Sequence, residues 1–598
     1  MKPKSLLLLT MLASVALTAG AQSTVPTFSK VVLPNGISEG FFRGSAVFAD
    51  INNDGYMDLI IKGRDLDGGW APKVQIAMGS ASGFSKGSTL LENMDIYESN
   101  LNVFDYNNDG NLDILLSCYG TPLLYRGGGT FTKVENFTLE DHFSLNDDEN
   151  AGEKTTERYY TGLTLTADFD LDGLQDILSK DSGGNPVLYR NNGDGTFTKM
   201  SNSNLAKVRG GTMAVGDFNN DGYPDVAVSG WSDEISNDVC VINKNNGDGT
   251  FSTVVSENIV GVEKGGIMLA DLDNDGYLDL FVTGESCPEK WAKVAYVFKN
   301  NGDGTFQTKT AVNPNGACKG GVDWADVNGD GLIDIIYTGE SNTSNMVVAI
   351  NNGGLSFSSH ELPENKVARG GAAVSAFDYN GDGIIDLAVM GYNDKSFLTK
   401  HFSVWNGAGV KANTAPAAPT GLKMLPGDGN VTFSWNAASD SESPTASLRY
   451  NLYVKLKNGK IITHVPADLA TGKLHLGHVD AALTTTSYKL KINAADIEEW
   501  GVQTIDGCKL SSLFAKADQN TGIDDMTNAG ESLFISVKEG VITVSADAHV
   551  VITDLAGTNI MKARVKAGAS VGTGLKTGVY VVKAVSGKVI DVKKVIIK

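Results

Sequence analysis

Short apolar runs alternate with polar, glycine-rich stretches along most of the chain. MAVG (213–216) and IMLA (267–270) precede an acidic nonapeptide, and LII (59–61), VAV (226–228), LFV (280–282) and IIY (335–337) follow one. Apolar runs of that length bounded by turn residues read as strands, so each nonapeptide is predicted to be a loop joining two strands. It recurs seven times at spacings of 49 to 63 residues: DINNDGYMD from Asp50, DYNNDGNLD from Asp105, DFDLDGLQD from Asp168, DFNNDGYPD from Asp217, DLDNDGYLD from Asp271, DVNGDGLID from Asp326 and DYNGDGIID from Asp378.

A second motif follows the first in most units: NNGDGTF at Asn191, Asn245 and Asn300, with degenerate forms GGGTF at Gly127 and NNGGLSF at Asn351. Glycine-rich polar turns between apolar runs mark hairpins. Each unit therefore holds four strands, A to D, the content of one propeller blade, and seven units predict seven blades over residues 26–409. The seventh unit has room for strand B (Leu387 to Met390) and strand C (Phe402 to Trp405), but from Gly409 the chain enters the linker VKANTAPAAP. Its missing strand D is predicted at the start of the chain, where Thr27-Phe28-Ser29-Lys30 matches the strand D openings at 130–133 and 196–199. Such a closure leaves no exposed edge.

The nonapeptide carries its chemistry at fixed positions. Oxygen side chains fall at positions 1, 3, 5 and 9: Asp50, Asn52, Asp54 and Asp58; Asp105, Asn107, Asp109 and Asp113; Asp168, Asp170, Asp172 and Asp176; Asp217, Asn219, Asp221 and Asp225; Asp271, Asp273, Asp275 and Asp279; Asp326, Asn328, Asp330 and Asp334; Asp378, Asn380, Asp382 and Asp386. Position 6 is always Gly. Position 7 varies (Tyr56, Asn111, Leu174, Tyr223, Tyr277, Leu332, Ile384) and would contribute a backbone carbonyl. Alternate carboxylates turned inward, a sharp bend at Gly and a position 9 Asp that can bind through both oxygens describe an ion-wrapping turn, and an all-oxygen, many-ligand set favours calcium. Up to seven structural Ca²⁺ are expected. An EF-hand needs an acidic residue at position 12, and here that position is Ile61, Leu116, Ser179, Val228, Val282, Tyr337 or Val389. A metal-free turn gives no reason for Asp at position 9 seven times over.

These loops resemble the FG-GAP (VCBS) repeats of integrin α-subunit propellers and many exported bacterial proteins, over about Thr27 to Gly409. The resemblance implies calcium between strands A and B on the lower rim and ligand contact from the opposite face. It specifies neither a ligand nor an activity.

Two further β-sandwich domains are expected beyond a linker at 410–415, making the chain all-β. Residues 416–516, with APTGLKMLPGDGNVTFSWNAASDSE, LRYNLYVK around Tyr450 and a core Trp435, resemble a fibronectin type III domain and read as a spacer. After a polar linker at 517–532 the composition turns basic. Residues 533–598 resemble the C-terminal sorting domain of type IX secretion cargo, on Asp554-Leu555-Ala556-Gly557, Gly578-Val579-Tyr580 and Lys593 to Lys598, which implies the secretion machinery as a partner. Met1 to Ala21 reads as a cleavable signal peptide: two lysines, an apolar run, then Ala19-Gly20-Ala21. No later stretch approaches the roughly 20 apolar residues of a membrane span.

The formal charge of −21 argues against nucleic acid, and most of the acidic excess lies in the nonapeptides. No HExxH, GxSxG or P-loop is present, and the propeller histidines, His142, His360 and His401, are scattered. The reading is therefore a cell-surface or extracellular binding or adhesion protein for a glycan or extracellular protein. The alternative is a calcium-dependent polysaccharide lyase or hydrolase using propeller aspartates. A ligand site is expected where a basic residue followed by small ones precedes the inner strand, at Arg43, Arg209, Lys264, Lys319 and Arg369, against the alternative that each pairs with an acid such as Glu285 or Glu340. Trp70, Tyr119, Trp231 and Tyr392 are the stacking candidates. Of the five cysteines, Cys287 and Cys318 are expected to form a disulfide between adjacent blades, leaving Cys118, Cys240 and Cys508 as buried thiols.

Overall fold

The computed structural model describes residues 25–517 and 535–597, except 40, 66–70, 86, 93–100, 118–121, 141–163, 182, 255, 257, 342–345, 363–372, 393–399, 539–540, 545–547, 555–558, 567–569, 573–575, 577 and 587–588. The signal segment 1–21 thus lies outside the described residues, as do Trp70, Cys118, Tyr119, Arg369 and Leu555 to Gly557. Among the described residues no helix is long and apolar enough to cross a membrane.

Seven four-stranded antiparallel sheets follow one another along residues 27–408. In blade one, strands A to D are Phe41–Ala49, Asp58–Asp65, Ala71–Ala77 and Ser88–Glu92. The A strands of blades two to seven are Leu101–Phe104, Leu165–Ala167, Arg209–Gly216, Glu263–Ala270, Val322–Ala325 and Ala373–Phe377. Each touches the next, and the last, Ala373–Phe377, touches Phe41–Ala49 of blade one, so the seven form a closed propeller. Every nonapeptide joins strand A to strand B, with its position 9 Asp as the first residue of strand B.

Blade seven takes its outer strand from the start of the chain. Thr27–Lys30 pairs with Lys400–Ala408, aligning Lys30 with Trp405. Lys133 against Tyr125 and Lys199 against Tyr189 have the same alignment, so the N-terminal strand occupies the place a strand D holds elsewhere.

Residues 420–516 form a sandwich of a three-stranded sheet (Thr420–Pro426, Val431–Asn436, Ser487–Leu490) on a four-stranded one (Ile461–Thr463, Arg449–Leu456, Ile497–Ile505, Ala515–Lys516). Trp435 is buried among Phe433, Tyr450 and Trp500. The sandwich is not a body apart from the propeller, because the two form one compact unit. Val465, Leu474, Leu476, Val479 and Ile505 enter a single core with Val47, Leu101, Val103, Met268 and Trp324 from the inner strands. Backbone bonds fasten the two: Gly477 N–H to Phe48 O, Asp50 N–H to His475 O and Asp326 N–H to Gly507 O, each 2.9 Å. The sandwich therefore covers the propeller face that carries the acidic loops. A cavity of about 410 Å³ remains in the channel, walled by inner strands and bounded by sandwich residues including Leu476, His478 and Asp480.

Residues 518–598 form a separate compact unit. It is a sandwich of Ile535–Lys538, Val541–Val544 and Ser570–Gly572 on Asn559–Val565, Ala548–Asp554, Gly578–Ser586 and Val589–Ile597, with Ile542, Val550, Ile552 and Val582 in its core.

Candidate metal centres

All seven nonapeptides fold alike. The position 1 carboxylate accepts the N–H of position 5 through one oxygen, at 3.0–3.1 Å, and that of the position 6 Gly through the other, at 2.7–2.9 Å. The position 5 carboxylate accepts the position 7 N–H (Tyr56, Asn111, Leu174, Tyr223, Tyr277, Leu332 and Ile384) at 2.9–3.1 Å. These bonds wind the loop around its own side-chain oxygens. Gly at position 6 is required by its left-handed backbone, for example φ 88° at Gly276.

Position 9 has a role that spacing did not reveal. Asp58, Asp113, Asp176, Asp225, Asp279, Asp334 and Asp386 are fully buried. One oxygen of each accepts a backbone N–H from the end of strand C (Gly79, Gly127, Asn191, Asn245, Asn300, Asn351, Gly407) at 2.7–2.9 Å. In blades one to six the other oxygen accepts the position 2 N–H, at 2.9–3.2 Å. In blade seven the position 2 N–H of Tyr379 also acts on Asp386, but the second oxygen makes no well-formed hydrogen bond among the described residues.

Two side-chain amides, also unforeseen, wire the loops of blades one to six together. Asn at position 4 donates to the position 6 carbonyl of the next blade: Asn53 to Gly110 (3.3 Å), Asn108 to Gly173 (2.7 Å), Asn220 to Gly276 (2.9 Å) and Asn274 to Gly331 (3.0 Å). The first Asn of the strand C turn donates to the position 2 carbonyl of the preceding blade: Asn191 to Tyr106 and Asn245 to Phe169 at 2.8 Å, Asn300 to Phe218 and Asn351 to Leu272 at 2.7 Å. The two motifs recur together because one reaches into the other.

The electrostatics suit a cation. Burial, opposed in part by the backbone bonds, raises Asp105, Asp217, Asp271 and Asp326 at position 1 to about 6, and Asp113, Asp225, Asp279 and Asp386 at position 9 to about 8. Oxygens of Asp168, Asp170 and Asp176, and of Asp271, Asp273 and Asp275, converge within 4.8 Å of one another. These all-oxygen donor sets fit a hard cation.

Of the basic residues placed before the inner strands, Lys264 pairs with Glu285 (3.0 Å), and buried Lys319 with Glu340 (3.6 Å), which also takes Lys293 (3.3 Å). Arg43 and Arg209 lie in the A strands of blades one and four. The glycines after the cations have a structural reason: strand A bulges there against strand B, and a Cβ on Gly265 would lie 1.7 Å from the Thr283 carbonyl oxygen. Trp231 donates its indole N–H to Asp233 (3.0 Å). The expected Cys287–Cys318 disulfide is not formed. Both are free thiols, and the Cys318 S–H turns instead to Glu285 (3.5 Å) and the Glu340 carbonyl (3.7 Å). Cys240 and Cys508 are buried thiols.

A family model described as FG-GAP-like repeat matches residues 168–228, 271–337 and 326–389. None of the curated proteins compared with the chain matches it. Among solved structures, the chain is similar to BBS1N in complex with ARL6DN, soaked with lead, at 13% identity, covering 63% of this chain and 96% of that one with a TM-score of 0.39. It is also similar to the BP39L lectin from Burkholderia pseudomallei, at 10% identity over 62% of this chain and 99% of that one, with a TM-score of 0.41.

Proposed function

We propose that the chain is an exported, calcium-stabilised binding protein of the cell surface or extracellular space, recognising a glycan or an extracellular protein through the propeller. The observation that carries this reading is the division of the propeller's two faces. The acidic loops occupy one face and are covered by the fibronectin-like sandwich, so recognition falls to the opposite rim, where strands B and C connect and strand D returns to the next strand A. Calcium would be held by the oxygens of positions 1, 3, 5 and 9 with the position 7 carbonyl, and would neutralise carboxylates that burial and mutual repulsion otherwise disfavour. The C-terminal unit, on its resemblance to sorting domains, engages the secretion machinery.

The test is a glycan and matrix-protein array probed with the mature chain, with and without chelator, alongside its metal content. Binding to a defined glycan or protein together with several bound calcium ions supports the reading. Depolymerisation of a polysaccharide, or silence on both arrays, overturns it.

A further inference from the structure

The residue that ends strand C lies beside the acidic loop of its own blade, just before the N–H that holds position 9. Around the ring it is Met78, Arg126, Arg190, Lys244, Lys299, Ile350 and Asn406. In blades two to five its cation reaches the loop. Arg190 spans Asp170 (2.7 Å) and Asp172 (2.9 Å), Lys299 spans Asp273 and Asp275 (2.7 Å to the latter), Lys244 meets Asp221 (3.1 Å) and Arg126 meets Asp109 (3.9 Å). The two loops with a fourth carboxylate, in blades three and five, are the two whose cation bridges a pair. In blades one, six and seven the residue is uncharged. Among the described residues no Lys or Arg pairs with those loop carboxylates; Lys473 of the sandwich reaches the Gly55 carbonyl (3.2 Å) and the ring of Tyr56 but no carboxylate of that loop.

A second observation singles out the same arc. Each junction from blades one and two through blades five and six carries at least one of the two wiring amides. The junctions of blade seven carry neither, because Gly329 and Gly381 stand at position 4 and Gly407 and Gly79 at the strand C turn. They are held otherwise: Ala376 N–H donates to Asp323 (2.7 Å), Lys509 bridges Asp323 and the Ala376 carbonyl, and Tyr379 stacks between Phe48 and Phe84. Blade seven is also the blade closed by the N-terminal strand, and the one whose position 9 aspartate makes no well-formed bond to its position 2 N–H.

We propose that the strand C terminal residue decides whether a loop needs an ion. Blades two to five carry a built-in counter-ion, blades one, six and seven depend on calcium, and the ring loosens first at blade seven when calcium is withdrawn. This rests on the calcium reading above. A side-chain cation relieves carboxylate repulsion without metal and lowers the charge that attracts one, whereas a loop with neither cation nor ion keeps its full repulsion.

Hydrogen exchange read by mass spectrometry on the full chain, with calcium and with EGTA, tests this. Peptides covering 27–30 and 378–408 should lose protection by about tenfold in EGTA, while those of blades three to five change little. Asn406→Lys should remove blade seven from the sensitive set, and Lys299→Met should add blade five to it. The second variant tests the idea even if the first fails to fold. Even loss around the ring, or loss first in blades three to five, would overturn the proposal while leaving the calcium reading intact. Native mass spectrometry that finds no calcium on the full chain would instead remove the reading on which it rests.

Discussion

At the scale of the residue, the position 9 aspartate changes how the repeat is understood. Spacing alone offers a metal-free turn no reason for that Asp, yet the buried carboxylate staples the loop to strand C through backbone bonds alone. What favours a cation is the crowding of positions 1, 3 and 5 and the raised affinity of the buried carboxylates for protons, more than the repeat itself. Asp279→Ala should then cost more than loss of a ligand: it strands the buried N–H groups of Leu272 and Asn300, and a loss of about 2–4 kcal/mol in chemical denaturation is expected even in chelator. Asn274→Ala, which points away from the ion position but ties blade five to Gly331, should cost about 1 kcal/mol. Asp506, beneath the sandwich, bonds Asn413 (2.7 Å) and Leu510 N–H (2.9 Å), and burial raises it to about 7. A raised carboxyl favours folding fully below its unfolded value near 4 and loses that contribution as pH rises through 7. Asp506→Asn should therefore melt several degrees above the native protein at pH 8, with the difference closing as pH falls toward 4.

At the scale of the element, the strand content of each blade was legible because an acidic loop and a glycine turn punctuate it twice. The N-terminal strand was legible from four residues, since TFSK repeats the pattern of a strand D. Deleting residues 25–30 should bare the edge of Lys400–Ala408 and convert a monodisperse protein into one that self-associates, seen by size-exclusion chromatography with light scattering. The inter-blade amides were not legible: Asn at position 4 and at the strand C turn reads locally as turn chemistry, and its partner lies in another blade 56 to 85 residues away. The basic-Gly-Gly signature was visible, and part of it has a structural reason. Its glycines answer a close crossing of strands A and B, and its described lysines meet the glutamates of strand B and the loop after it.

At the scale of the whole molecule, the shared core of propeller and sandwich alters what calcium removal should do. A spacer would melt independently. Instead residues 25–517 should unfold in one transition that EDTA lowers by roughly 10 °C, with any separate transition of the 518–598 unit unmoved. Two EDTA-resolved transitions within 25–517, one of them insensitive, would contradict the shared core. The all-β class, the seven repeats, the acidic loops and the strand that closes the ring are written in local periodicity and turn residues. That the sandwich covers the loop face, that Cys287 and Cys318 stay apart, that Lys264 and Lys319 pair with glutamates and that blade seven lacks the wiring of its neighbours emerged with the three-dimensional packing. Those outcomes depend on which side chains meet across hundreds of residues, and a pattern that repeats within each blade carries no record of what the next blade or domain brings to it.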